Sequence, residues 1–352
     1  VAATVQWYVD PNASGGGTGV DWTNAYNSLS AFEAAEGKDL TGSDEIFVVN
    51  CRASSGGDDT TTFRWNGHVT DATRYILVTG DSGNGGDFPT DGKWDEAKYL
   101  LHNDDSATWM IECRGGNVYF DKIQFKVTET STNSRRGLHY SSSPANTLVF
   151  ISNCIFRGVV SGTGGGYGIE FNSNNITARI YNTVVYDFFI SADNDFRGIS
   201  IGNSTAVKIS HCTVYNCTVG IHRANGTVDV SSCIVGNNDN DFFGTFNSIV
   251  NCCDDDDDST SGNQDPLNSD WTQELTDPDN GDRTLADFTL QASANSVGNG
   301  VDDPFGDGLG DPDIAGTSRT STWDIGAFEL VAAPAGNVGI MTTNTGFWGP
   351  TF

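Results

Sequence analysis

The chain has 352 residues, 42 of them Gly, and its 18 Lys and Arg against 46 Asp and Glu leave a formal net charge of −28. That balance excludes a nucleic-acid partner, because phosphate binding needs a basic footprint, and it favours solubility and repulsion from anionic membranes. The 20 Phe, 10 Tyr and 8 Trp exclude a disordered Gly-rich polymer, and no run approaches the roughly 18 apolar residues of a membrane span.

Residues 23–36 carry helix-like apolar spacing at Ala25, Tyr26, Leu29, Phe32 and Ala35. The spacing predicts a short amphipathic helix that caps a first coil and hides its strand edge. Early strands are expected at Glu45–Cys51, Arg74–Thr79 and Trp109–Cys113.

The central stretch repeats itself. One pattern, apolar-x-apolar-x-x-(usually small)-x-apolar, starts at Val118, Val149, Ala178, Val207 and Val228, at intervals of 31, 29, 29 and 21 residues. A second begins at Gly137-Leu138, Gly168-Ile169, Gly198-Ile199 and Gly220-Ile221, at intervals of 31, 30 and 22. Two unrelated patterns that keep nearly the same changing period mark each repeat as one coil of a solenoid, whose inner face is buried only when coils stack. Equivalent strands then lie about 4.8 Å apart in parallel, with right-handed crossovers. Cys154, Thr183, Cys212 and Cys233 form an internal column of small side chains. A Cys212–Cys233 disulfide is the alternative to stacked free thiols. Beside them Asn153, Asn182, His211 and Ser232 suit a corner, where stacked polar side chains can form a ladder.

Between the patterns the gaps are 14, 14, 15 and 8 residues, so the first three connections are expected to leave one corner as a ridge of loops. They carry Arg135, Arg136, Tyr167, Phe196 and Arg197 as candidates for glycan or partner contact, since aromatics and guanidiniums can stack on sugars and bond their hydroxyls. The expected divisions are 1–40 as an N-terminal segment with its cap helix, 41–253 as coils, 254–330 as an acidic loop with a terminal β segment, and 331–352 as an extended arm. Phe347, Trp348 and Phe352 in that arm are the candidate anchors to a partner subunit or shell.

The sequence resembles the pectate-lyase-like superfamily of right-handed parallel β-helix proteins. The resemblance rests on Tyr8-Val9-Asp10-Pro11, Gly15 to Gly19 and Trp22-Thr23-Asn24-Ala25-Tyr26 at the start. Late in the chain it rests on Asp287-Phe288-Thr289-Leu290, Asp313-Ile314-Ala315-Gly316, Arg319 and Trp323 to Glu329. It covers roughly residues 6–330 and implies an all-β, right-handed parallel β-helix similar to phage tailspike, virion or bacterial surface proteins. It does not choose among lyases, hydrolases, adhesins and tailspikes, because fold does not fix function.

Catalytic signals are thin. No basic residue clusters with Asp on one strand column as a lyase needs, and the polygalacturonase pattern of adjacent aspartates with Gly-His-Gly is absent. Glu170, Asp193 and Asp195 are the candidate carboxyls for a glycosidase pair. The outward column His139, Glu170, Ser200 and His222 is either an acid–base face or a row of solvated residues, and the latter is the simpler reading. Gly15 to Gly19 lacks the Gly-Lys-Ser/Thr ending of a phosphate loop. The run Asp254 to Asp258 and the later Asp307, Asp311 and Asp313 are candidate Ca²⁺ ligands, and no other cofactor is indicated. The expectation is a non-enzymatic structural or adhesive protein, extracellular, on a cell surface or on a virion. It would form a homo-oligomer (a trimer by analogy), reach a virion or envelope protein through the arm, and contact glycan. The alternative is a polysaccharide lyase or glycoside hydrolase.

Overall fold

A computed structural model describes residues 2–330 apart from 142, 191–194, 204–205, 256–261, 263, 267–268 and 320–321. Three parallel sheets of nine, seven and seven strands form the molecule, and successive strands along the chain pass from sheet 1 to sheet 2 to sheet 3 and back. This is the right-handed parallel β-helix expected from the repeats. Sheet 1 stacks the first pattern in register, pairing Val149 with Ala178, Ala178 with Val207, and Val207 with Val228. The expected early strands form at Glu45–Cys51, Ile76–Thr79 and Trp109–Cys113. Stacking begins before residue 41, because Ala3–Val9 already pairs with Glu45–Cys51.

The first pattern is two strands and the corner between them. Asn153, Asn182, His211 and Ser232 turn that corner with φ of 51°, 48°, 49° and 55°, a left-handed conformation that Asn accepts more readily than most residues. The predicted ladder does not form there. Asn182 donates to the carbonyls of Gly310 and Pro312, His211 packs on Trp323, and Ser232 accepts from the Val301 amide, so terminal-segment groups take the bonds a ladder would use. Beyond the corner, Gln124–Glu129, Ile155–Val160 and Val184–Tyr186 belong to sheet 2. The first two stretches read as long loops are therefore mostly strand, leaving short turns at 130–134 and 161–165 that stack on each other through the Ser161 and Thr163 amides and the Glu129 and Ser131 carbonyls. The third keeps a longer connection after Tyr186, and its residues 191–194 lie outside the described residues.

Inside, rings pile up in register. Phe125 and Phe156 stack at 4.4 Å, and Tyr140 and Phe171 at 5.2 Å. All eight cysteines are buried and free, as the stacked-thiol reading expects. The predicted helix occupies Leu29–Glu36, capped by the Ser28 side chain, and inserts Leu29 and Phe32 into the open end of the coil stack. Phe32 meets Trp7, Phe47 and Trp65 there.

The terminal segment folds back along the outside of sheet 2. Phe288, Ile314, Ile325 and Phe328 bury Ile155, Val184, Tyr186, Tyr215 and Ile234 in a second hydrophobic cluster. Arg319 anchors the segment. Its guanidinium donates to the carbonyls of Gly310 and Gly326 and to the Asn182 side chain, and it pairs with Glu329 at 3.2 Å.

Candidate functional site on the outer face of sheet 3

In sheet 3 the second pattern takes on a physical meaning. At Gly168 an added Cβ would lie 2.9 Å from Val185 Cγ1 in the core, so both Gly168 and the following Ile169 face inward. Glycine suits a place where two consecutive positions face the interior, and that inward pair sets the outward residues three apart. One outward column runs Trp109, Arg136, Tyr167 and Arg197. The other runs Arg64, Glu112, His139, Glu170, Ser200, His222 and Phe243. Adjacent rungs lie about 4.8 Å apart.

Charges of both signs and aromatic rings interleave along the strip. Arg64 and Arg114 hold Glu112 at 2.7 and 2.8 Å, and Ser141 donates to it at 2.6 Å. Burial pushes the Glu112 carboxyl up, but the Ser141 hydrogen bond and the two guanidiniums outweigh it and leave the group below its ordinary range. Arg136 pairs with Glu170, and His139 Nε2 lies 3.2 Å from the same carboxylate oxygen. The Tyr167 ring sits between two guanidiniums, with Arg136 at 4.9 Å and Arg197 at 5.5 Å from its centroid. Its hydroxyl donates to Asp195, which also pairs with Arg197 at 3.0 Å. Arg64 lies over Trp109, and His222 stacks on Phe243.

Both imidazoles are neutral near pH 7. Burial lowers His139, with Glu170 opposing and Arg136 reinforcing the effect. Burial, then the Arg197 guanidinium, lowers His222 to about 4. Arg197 Nη1 lies 3.2 Å from His222 Nδ1, and a donor there makes Nδ1 an acceptor and places the ring proton on Nε2.

The sequence-predicted contact residues divide between strip and interior. Arg136, Tyr167 and Arg197 stand together on the strip, as does Glu170. Phe196 is fully buried in the core, and Arg135, in the same register column, turns away from the strip to pair with Asp105 at 2.6 Å and to donate to its carbonyl. Both occupy the inward position before an outward residue, an alternation that the loop reading concealed. Asp195 joins the strip through Tyr167, whereas Asp193 lies outside the described residues, as do Phe347, Trp348 and Phe352. Trp109, Arg64 and Glu112 are further members, and the signal for them was the three-residue outward spacing that begins at the predicted strand Trp109–Cys113.

The aspartates proposed for Ca²⁺ make other contacts. Asp307 pairs with Arg179 at 2.8 Å, Asp311 accepts from the Arg319 amide, and Asp313 accepts from the amides of Thr317 and Glu329. Asp255 takes the Trp271 indole N–H, and 256–258 lie outside the described residues. Among the described residues, no group of three or more His, Cys, Asp or Glu is arranged to hold a metal ion.

No family model matches the chain, and no curated protein matches it. Among solved structures it is similar to the crystal structure of pectate lyase Pel9A, at 14% identity over 94% of this chain and 97% of that one, with a TM-score of 0.34.

Proposed function

We propose that the chain is a non-catalytic surface β-helix that contacts glycan along the outer strip of sheet 3. The observation that carries this reading is the in-register row Trp109, Arg136, Tyr167 and Arg197 beside Arg64, Glu112 and Glu170. Regular rungs about 4.8 Å apart, carrying bonding groups of both signs, suit an extended chain of hydroxyls. The carboxylates favour binding over turnover, since Glu112 and Glu170 are already held by guanidiniums. Display on a virion or cell envelope as a homo-oligomer belongs to the same proposal, and a net charge of −28 suits an exposed, soluble particle.

The second reading, a carbohydrate-active enzyme, is favoured by one feature: neutral His139 lies between Glu112 and Glu170 in adjacent rungs. Both readings meet one experiment. Purified protein is mixed with neutral and acidic polysaccharides, with and without Ca²⁺, while bound glycan, new reducing ends and unsaturated-product absorbance are followed. The expected result is binding without turnover, weakened about tenfold or more by Arg136→Ala with Arg197→Ala. Turnover abolished by Glu170→Gln would establish the enzyme, and absence of both binding and turnover would remove glycan from the proposal.

A further inference from the structure

The outer face of sheet 1 carries a second feature, a hollow of about 540 Å³ walled by Tyr75, Leu77, Tyr119, Leu148, Phe150 and Tyr181. The rings come from successive coils. Tyr75 and Tyr119 lie 4.5 Å apart, and Phe150 meets Tyr119 edge-on at 4.8 Å. The opposite rim is Leu309 of the terminal segment. That rim is fixed in place, because Asp307 pairs with Arg179, Lys208 lies over the Phe305 ring, and Asp303 accepts from the amides of Asp307 and Gly308.

Asp121 also lines the hollow, with Ser152 beside it. Its Oδ1 accepts from Ser152 Oγ and from Asn153 Nδ2, both at 2.7 Å, whereas Oδ2 has no hydrogen-bond partner among the described residues. Of the nearby cations, Lys122 is shared with Asp81 at 3.6 Å, and Arg179 pairs with Asp307. Burial raises the Asp121 carboxyl even though the Asn153 and Ser152 bonds and the Lys122 ammonium oppose it. The hollow therefore combines electron-rich ring surfaces with one under-compensated carboxylate, a complement to positive charge on an apolar body. Its volume matches that of small-molecule sites.

We propose that this hollow binds a small organic cation, with its ammonium group at Asp121 Oδ2 and its apolar or aromatic body against Tyr119, Phe150 and Tyr181. It lies on a different sheet from the glycan strip and does not depend on that assignment. The test is titration calorimetry with benzylammonium and, as the neutral isostere, benzyl alcohol, on the folded chain and on Asp121→Asn and Leu309→Lys. Circular dichroism confirms that each variant is folded. The expected result is benzylammonium binding about tenfold or more tighter than benzyl alcohol. Asp121→Asn should erase that preference, and Leu309→Lys, which sets a competing ammonium on the rim without touching the core, should abolish binding. No binding of benzylammonium, equal binding of both probes, or a preference that survives both substitutions would overturn the proposal. The last outcome would reduce the effect to diffuse attraction by an acidic surface.

Discussion

Arg319 Nη2 donates to Asn182 Oδ1 at 3.1 Å, joining residues 137 positions apart in a fully enclosed contact. Asn182 turns a coil corner, and its amide nitrogen bonds Gly310 and Pro312 of the segment that Arg319 anchors. Removing the guanidinium leaves several carbonyls and the Glu329 carboxylate without their buried donor. Arg319→Ala is expected to cost about 3–5 kcal/mol and to expose the terminal segment to protease before the coils. Urea unfolding and mapped limited proteolysis measure both. An unchanged midpoint would show that apolar packing alone holds the segment.

Gly198 faces the core, where an added Cβ would lie 2.7 Å from Val214 Cγ1 and 2.9 Å from the Gly220 carbonyl oxygen. Gly198→Ala should destabilise by about 1–3 kcal/mol through overpacking. Arg197→Ala, one residue away but outward, should cost well under 1 kcal/mol of stability. Paired denaturation curves distinguish the inward from the outward assignment.

His222 titrates near 4 in the folded chain against about 6.5 when unfolded. The unfolded state therefore binds a proton that the folded state refuses. The His222 contribution is fully present above pH 6.5 and is lost as pH falls toward 4, on the order of 3 kcal/mol. His222→Leu should flatten the loss of stability across that window. Half-buried Asp121 and buried Asp241 have the opposite sign, since their carboxyls are raised and acid relieves them. The comparison must therefore be a difference between variant and parent at each pH.

The eight buried thiols should resist a water-soluble disulfide reagent in the folded chain and react in full once it is denatured. Burial pushes Cys154 and Cys217 well above the ordinary thiol range, which suppresses the reactive thiolate. Six reactive thiols in denaturant would reveal a disulfide pair instead.

The stacking register of sheet 1 was legible because an apolar-x-apolar spacing recurs from Val149, Ala178, Val207 and Val228. The cap helix was legible from Leu29 and Phe32 for the same reason. Sheet 2 was not, because its short strands begin directly after a corner and many face the terminal segment outside as well as the core inside. Tyr186 and Tyr215 are buried on the outer side, so hydrophobic alternation disappears there. On the strip, the column through Glu170 was visible, but Phe196 and Arg135 were misplaced because the two consecutive inward positions at each glycine break the period of two. The hydrogen bond of Asn182 and the ring packing of His211 on a segment more than 100 residues downstream leave no local trace in sequence.

The fold-back of the terminal segment changes how the molecule can come apart. In a solenoid whose coils touch only their neighbours, unfolding can begin at either end and proceed coil by coil. Here Lys93 pairs with Asp287 at 2.6 Å, 194 positions along the chain, while the same segment grips corners three and four coils further down at Asn182 and His211. Early and late coils are thereby coupled, and fraying at one end must break contacts that serve the other. A stack that would otherwise melt gradually becomes a single cooperative unit, at the expense of slow closure of a very long loop during folding.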